Sequence, residues 1–267
     1  MLPSLRVVMA QLRVVGGDIA GNLAGAARMI ADAATLGGQV VVLPECLDVG
    51  WTHPDTPRLA SPIPGPVTQA LGAAADRAGI WVVAGLAERE GAQVYNSAVL
   101  LDPGGRVVLR HRKIHELALA RHLYQVGDSL AVARTSLGTI GLAICADLFP
   151  SHVALGHALA RMGAGVILSP CAWAVPATHD QTRQPYGALW LESYGALARE
   201  SNVGVVGVSS VGPLEAGPWA GRRCIGCSLA MGPGGTVLDR APYGEQAECL
   251  RVVDIPWPQA GREPDEP

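Results

Sequence analysis

No apolar run in this chain approaches the roughly 18–20 residues that a bilayer-crossing helix needs, so nothing in it reads as a membrane span. Blocks of like charge are missing too. Lysine and arginine number 20 against 23 aspartates and glutamates, scattered along the chain, for a formal net charge of −3. Without a basic tract there is no electrostatic footprint for nucleic acid or an anionic membrane surface. Met1-Leu2-Pro3 leads straight into a strand pattern with no charged-then-apolar leader, so no secretory signal is read there. Six cysteines (46, 145, 171, 224, 227 and 249) lie far apart in a core-forming chain. They imply reduced thiols and a cytoplasmic setting rather than a disulfide framework. Phenylalanine occurs once, a scarcity that decides nothing about function.

What the chain does have is a core: 49% of its 267 residues are hydrophobic and 16% charged, which suits one large α/β domain. The patterns alternate. Strands are expected at 6–11, 40–43, 80–85, 95–101, 107–112, 140–144, 165–169, 203–208, 227–231, 237–238 and 250–255. Helical spacing marks 22–36, 66–78, 152–162 and 187–201. Two hairpin signals, Asp102-Pro103-Gly104-Gly105 and Gly232-Pro233-Gly234-Gly235, close two halves that echo each other. Strand and helix in alternation, with hairpins between, imply mixed sheets covered by helices. One domain is expected over 1–258. The Pro- and acid-rich segment 259–267 reads as a flexible tail.

Three stretches carry chemistry. In Gly141-Leu142-Ala143-Ile144-Cys145-Ala146-Asp147, Cys145 falls where a buried strand ends and a helix is about to begin. A sharp turn there exposes one side chain and aims backbone N–H groups at whatever it attacks; the plain alternative is a buried core thiol. Glu45 follows Val40-Val41-Val42-Leu43-Pro44, and a carboxylate at the C-terminal end of a buried strand lies where α/β proteins place their sites. Its plain alternative is a salt-bridged strand end. Lys113 follows the hairpin strand in Leu109-Arg110-His111-Arg112-Lys113, where Arg110 and Arg112 read as a solvated edge. Together the three make sense as nucleophile, proton carrier and oxyanion partner for acyl transfer through a thioester, with the Ala146 N–H as a second oxyanion donor.

Leu43-Pro44-Glu45, Arg112-Lys113-Ile114-His115 and Gly141 to Asp147 resemble, in order and separation, the three catalytic motifs of the nitrilase superfamily of carbon–nitrogen hydrolases. The flanking Val126-Gly127-Asp128 and Val253-Asp254 resemble that family as well, so the likeness spans about Leu5 to Ile255. It implies an αββα sandwich, commonly a homodimer extending it to αββααββα, and a Glu–Lys–Cys triad with no cofactor and no metal. Carried over residue by residue, Glu45 is the general base and acid, Lys113 the stabiliser and Cys145 the nucleophile.

Three departures stand out. The second Glu of many members falls here on Ala120, and Glu116, three residues after Lys113, is the candidate to reach the same space. Ala146 replaces a common aromatic, and Cys145-Ala146-Asp147 leans towards amide rather than nitrile substrates. No Arg follows Asp147 within Leu148-Phe149-Pro150-Ser151. Around the pocket, Trp173 and Trp51 (with His53 near it) are candidate walls. Arg183, near His179, is the candidate partner for a substrate carboxylate. Cys224-Ile225-Gly226-Cys227 is a lone CxxC and reads as structural thiols, and Gly232 to Gly235 as a turn rather than a phosphate loop. The expected function is hydrolysis of a small amide or N-carbamoyl compound. A catalytically impaired binding protein and an acyltransferase are the alternatives.

Overall fold

The computed structural model describes residues 4–258; the tail expected at 259–267 lies outside the described residues. In chain order the strands begin with β1 (Ser4–Gln11), β2 (Val40–Val42), β3 (Trp81–Glu90), β4 (Gln93–Leu101) and β5 (Val107–Arg112). They continue with β6 (Val132–Thr135), β7 (Gly138–Leu142), β8 (Val166–Cys171), β9 (Ala174–Pro176) and β10 (Gly204–Ser209). The last are β11 (Val211–Leu214), β12 (Arg222–Ile225), β13 (Leu229–Met231), β14 (Val237–Arg240) and β15 (Cys249–Pro256). The helices are α1 (Ile19–Thr35), α2 (Thr56–Leu59), α3 (Pro66–Ala78), α4 (Ala154–Arg161) and α5 (Ala188–Ser201).

Local chemistry sets the ends of these elements. Asp18 caps α1 by accepting the Gly21 N–H at 3.0 Å. Pro66 opens α3, and Gly79 closes it in the left-handed region at φ 66. Two six-stranded sheets result, ordered β15-β1-β2-β3-β4-β5 and β6-β7-β8-β10-β13-β14. Each has one antiparallel pair, then two parallel pairs, then two antiparallel pairs. The echo in the sequence is thus an echo in topology, with α1 and α3 in one half matching α4 and α5 in the other.

Burial arranges the layers. Val8, Val41, Val82 and Val99 pack against Met29, Ile30, Leu71 and Ala75, so α1 and α3 cover one face of the first sheet. Val7, Val42, Val83 and Leu100 join Leu142, Leu168 and Val206 in a cluster that continues to Leu155, Leu159 and Leu197 of α4 and α5. Each fully buried aliphatic contributes roughly 1.5–3 kcal/mol. The layers are therefore α-β-β-α, the fold expected from the sequence.

Two features depart from the expected pattern. β3 runs five residues past Gly85 to Glu90, because Glu88 is buried and held by Arg110 and Arg112 at 2.6 Å each. The solvated edge holds for Arg110, whose side chain is 37% exposed, and is corrected for Arg112, which is 16% exposed and lies over the Tyr95 ring at 3.9 Å. A third sheet, β11-β12-β9, whose short strands gave no periodic signal, lies where the chain leaves β8 and β10.

Candidate active site

β2 ends at Val42, and Leu43-Pro44 carry the chain off the sheet to Glu45. The departure is pinned on Gly85 of β3: the Gly85 N–H donates to the Pro44 carbonyl at 3.0 Å, and the Leu47 N–H to the Gly85 carbonyl at 2.8 Å. A Cβ on Gly85 would stand 2.5 Å from the Glu45 Cα, so only glycine allows this approach. The Glu45 N–H crosses to the other sheet and donates to the Cys171 carbonyl at 3.2 Å. The side chain is buried, and its Oε1 accepts from both Lys113 Nζ and Asn96 Nδ2 at 2.7 Å. Among the described residues nothing donates to Oε2, which leaves one carboxylate oxygen available for a proton.

Lys113 sits just beyond β5, its N–H on the Asn96 carbonyl and its carbonyl receiving the Gly127 N–H, both at 2.8 Å. A Cβ on Gly127 would meet the Arg112 carbonyl oxygen at 2.1 Å, so this close contact too requires glycine. Burial works against the Lys113 ammonium. The Glu116 and Glu45 carboxylates and the Cys145 sulfur outweigh it and hold Lys113 well above the ordinary lysine value. Glu116 Oε2 lies 3.8 Å from Lys113 Nζ. Burial, reinforced by Glu45 and opposed by Lys113, pushes Glu116 up to about 7. Asn96 is close by, yet its amide is engaged by Glu45, and neither Glu116 oxygen accepts a hydrogen bond among the described residues. Ala120, by contrast, is fully buried in an apolar cluster with Leu123 and Tyr124.

The third stretch turns sharply. β7 ends at Leu142, and Cys145 takes φ 45, in the left-handed region that non-glycine residues rarely adopt, at the head of a 3-10 turn Cys145–Leu148. The Cys145 N–H donates to Ser169 Oγ at 3.1 Å, and the Ala146 N–H has no acceptor among the described residues. Asp147 holds the turn to the lysine segment. Its Oδ1 accepts the Ile114 and His115 N–H groups at 3.0 and 2.8 Å, and its Oδ2 accepts Ile144 N–H at 3.0 Å and lies 2.8 Å from His111 Nε2. Burial opposes ionisation of Asp147, but these partners prevail and hold it well below the usual carboxylate range. The Cys145 thiol goes the other way: contact with Cys171, then burial and the Glu45 charge, raise it well above the ordinary thiol value despite Lys113. It is 8% exposed.

A narrow cavity beside these groups is lined by Glu45, Trp51, His53, Ala172, Leu214 and Cys224, among others, but by neither Lys113 nor Cys145. Trp51 is buried edge-on to Trp219 at 4.8 Å, its ring 5.8 Å from Lys113 Nζ. Trp173 is buried and stacked on Trp190 at 4.7 Å. Both indole N–H groups lack partners among the described residues. Arg183 and His179 are corrected. The Arg183 side chain is 88% exposed and paired with Asp180 at 3.5 Å, because the loop after β9 offers it a carboxylate in solvent. His179 is 3.3 Å from Gln181 in a separate groove with Phe149 and Tyr186. Cys224 forms part of the cavity wall, and Cys227 lies beside Arg240.

Sequence reasoning missed Asn96, Cys171 and the clamping role of Asp147. Asn96-Ser97 is a fully buried polar pair inside an apolar strand, a signal that was available. The contacts of Asp147 and Cys171 depend on strand pairing and left no local trace.

Comparison with known proteins agrees with this architecture. The Carbon-nitrogen hydrolase family matches residues 6–262. A nitrilase of Pyrococcus abyssi is 31% identical over 239 residues, covering 88% of this chain and 84% of the relative. The omega-amidase NIT2-B of Xenopus laevis is 28% identical over 234 residues, covering 84% and 80%. Among solved structures, an amidase from Nesterenkonia sp. superposes with a TM-score of 0.79 at 24% identity, covering 94% of this chain and 90% of that one. Saccharomyces cerevisiae Nit3, of the nitrilase superfamily, gives 0.80 at 22%, covering 95% and 90%. With the family spanning nearly the whole chain, this protein belongs to the carbon–nitrogen hydrolases of the nitrilase superfamily and is an enzyme of that class.

Proposed function

We propose that the enzyme cleaves a small amide or N-carbamoyl compound by two-step acyl transfer through a thioester on Cys145. The observation that carries this reading is the buried Glu45–Lys113 pair at 2.7 Å with Glu45 Oε2 left unengaged, across from a cysteine raised on a strained turn. The resting thiol is protonated, so attack on the carbonyl carbon and loss of its proton to Glu45 occur together. Lys113 Nζ and the Ala146 N–H stabilise the oxyanion. Glu45 then passes its proton to the leaving nitrogen, the C–N bond breaks, and Glu45 next draws a proton from the water that hydrolyses the thioester.

Glu116 supports the choice of amide. A buried carboxylate with no donor is costly, and an amide nitrogen brings N–H donors to it whereas a nitrile brings none. It also weighs against the binding-only alternative that Ala120 raises, since a carboxylate stands beside Lys113 despite the alanine. The relatives point the same way only in part: several are omega-amidases, while one is a nitrilase and two are bifunctional nitrilase/nitrile hydratases.

Intact-mass spectrometry of wild type and Cys145→Ala after brief exposure to amides, N-carbamoyl amino acids and nitriles tests the reading, with ammonia release followed alongside. An acyl adduct on wild type that Cys145→Ala lacks, or ammonia from wild type alone, is expected. Normal turnover by Cys145→Ala overturns it.

A further inference from the structure

The thiol next to the proposed nucleophile takes no part in the chemistry above. β7 and β8 are parallel, with Ile140 opposite Val166, Gly141 opposite Ile167 and Leu142 opposite Leu168. Beyond these pairs β8 continues to Cys171, while the chain leaves β7 at Leu142 and turns at Cys145 beside the end of β8. Side-chain contacts join the two segments. Ser169 Oγ accepts the Cys145 N–H at 3.1 Å and lies 3.6 Å from Cys171 Sγ, and Cys171 acts directly on the Cys145 thiol. Both cysteines are free. Their access to solvent differs: Cys145 is 8% exposed and Cys171 fully buried.

We propose that Cys145 and Cys171 form a reversible oxidation site, in which a peroxide oxidises Cys145 and Cys171 resolves it as an intramolecular disulfide that switches the enzyme off. In the first step the Cys145 sulfur, its proton taken by Glu45, attacks one peroxide oxygen. The O–O bond breaks, water leaves, and Cys145 becomes a sulfenic acid while the peroxide is reduced by two electrons. In the second step the Cys171 sulfur attacks the Cys145 sulfur. The S–O bond breaks, and the hydroxyl leaves as water with the Cys171 proton. The net change is two thiols and one peroxide to one disulfide and two waters. A thiol reductant reverses it by exchange. Because the resolving sulfur is already adjacent, the disulfide forms before Cys145 advances to the irreversible sulfinic and sulfonic acids.

The inactivating part rests on Cys145 being the nucleophile; the disulfide does not, and the experiment separates them. Wild type, Cys171→Ala and Cys171→Ser are treated with graded hydrogen peroxide. Intact mass, disulfide peptide maps and amide turnover are read before and after dithiothreitol. Wild type is expected to lose two hydrogen masses, to yield a Cys145–Cys171 cross-linked peptide and to recover at least ten-fold in turnover on reduction. The two variants are expected to gain two or three oxygens on Cys145 and to stay inactive. The alanine and serine forms serve as checks on each other, each accepted only if it turns over amide before treatment. Oxygen addition on wild-type Cys145 without the cross-link overturns the proposal, as does equal recovery in the variants. A cross-linked enzyme that keeps full turnover overturns the switch and the nucleophile assignment, while the pairing stands.

Discussion

Replacing Glu116 by glutamine separates catalysis from stability, because the two should move in opposite directions. At 3.8 Å from Lys113 Nζ, the carboxylate interacts with the ammonium by about 4 kcal/mol at an effective dielectric of about 20. Much of that is already spent against burial and Glu45, which together push Glu116 up to about 7. What glutamine removes during turnover is a charged acceptor for the amide N–H and for Lys113. At roughly 1.5–3 kcal/mol for a charge-assisted hydrogen bond, kcat/KM should fall roughly 10- to 150-fold. The folded protein should respond otherwise. A carboxyl raised from 4.5 to about 7 binds its proton more tightly folded than unfolded. Its contribution is therefore complete below pH 4.5 and is lost as pH rises through about 7. Spread over that window, the loss is about 3 kcal/mol. Glutamine does not titrate, so the difference in stability between variant and wild type should grow from pH 4.5 to 7 in the variant's favour and level off above. Lys113, Glu45 and Asp147, the charged groups that act on Glu116, remain in both proteins. Urea unfolding at half-unit pH steps, paired with amide turnover, gives both quantities. A variant with unchanged kcat/KM, or with wild-type pH dependence of stability, refutes the placement of Glu116 in the site.

Two further substitutions test the scaffold. Asp147→Asn keeps one acceptor oxygen and turns an amide NH2 towards backbone donors that the second oxygen received. With the NH2 at the Oδ2 position, one buried backbone N–H, that of Ile144, is left unpaired, so chemical denaturation should show a loss of roughly 1–3 kcal/mol. Because Asp147 is held below its ordinary value, its contribution is present above the unfolded pKa and is lost as pH falls through the folded one. The deficit of the variant should therefore shrink in acid; a deficit that is constant with pH counts against the clamp. Gly85→Ala drives a Cβ to 2.5 Å from the Glu45 Cα and 2.8 Å from the Pro44 carbonyl oxygen, both backbone atoms. Overpacking of about 1–3 kcal/mol and a larger proportional fall in turnover are expected, and a fully active Gly85→Ala enzyme refutes the requirement for glycine there.

What could be read in the sequence follows from range. Glu45, Lys113 and Cys145 each stand at the end of a strand whose apolar run is local, so their placement was legible before any pairing was known. Arg112 was misread because its partner, Glu88, lies more than twenty residues earlier in the chain. Arg183 is settled locally, as the solvated-loop alternative had it: a neighbour three residues away, Asp180, pairs with it in solvent.

Asn96 shows how the site depends on the sandwich as a whole. Its carbonyl fixes the Lys113 backbone and its amide fixes Glu45, so one strand position sets the geometry of two groups that are 68 residues apart. Glu45 in turn reaches across to the Cys171 carbonyl on the second sheet, and Asp147 returns from the Cys145 turn to the lysine segment of the first. Glu45, Lys113 and the Cys145 turn are thus held by hydrogen bonds that cross between the sheets at the ends of their parallel strands. Any slip of one sheet against the other would break several of them at once. That is why the β-α-β halves need each other: the first holds Glu45 and Lys113, and the second holds Cys145.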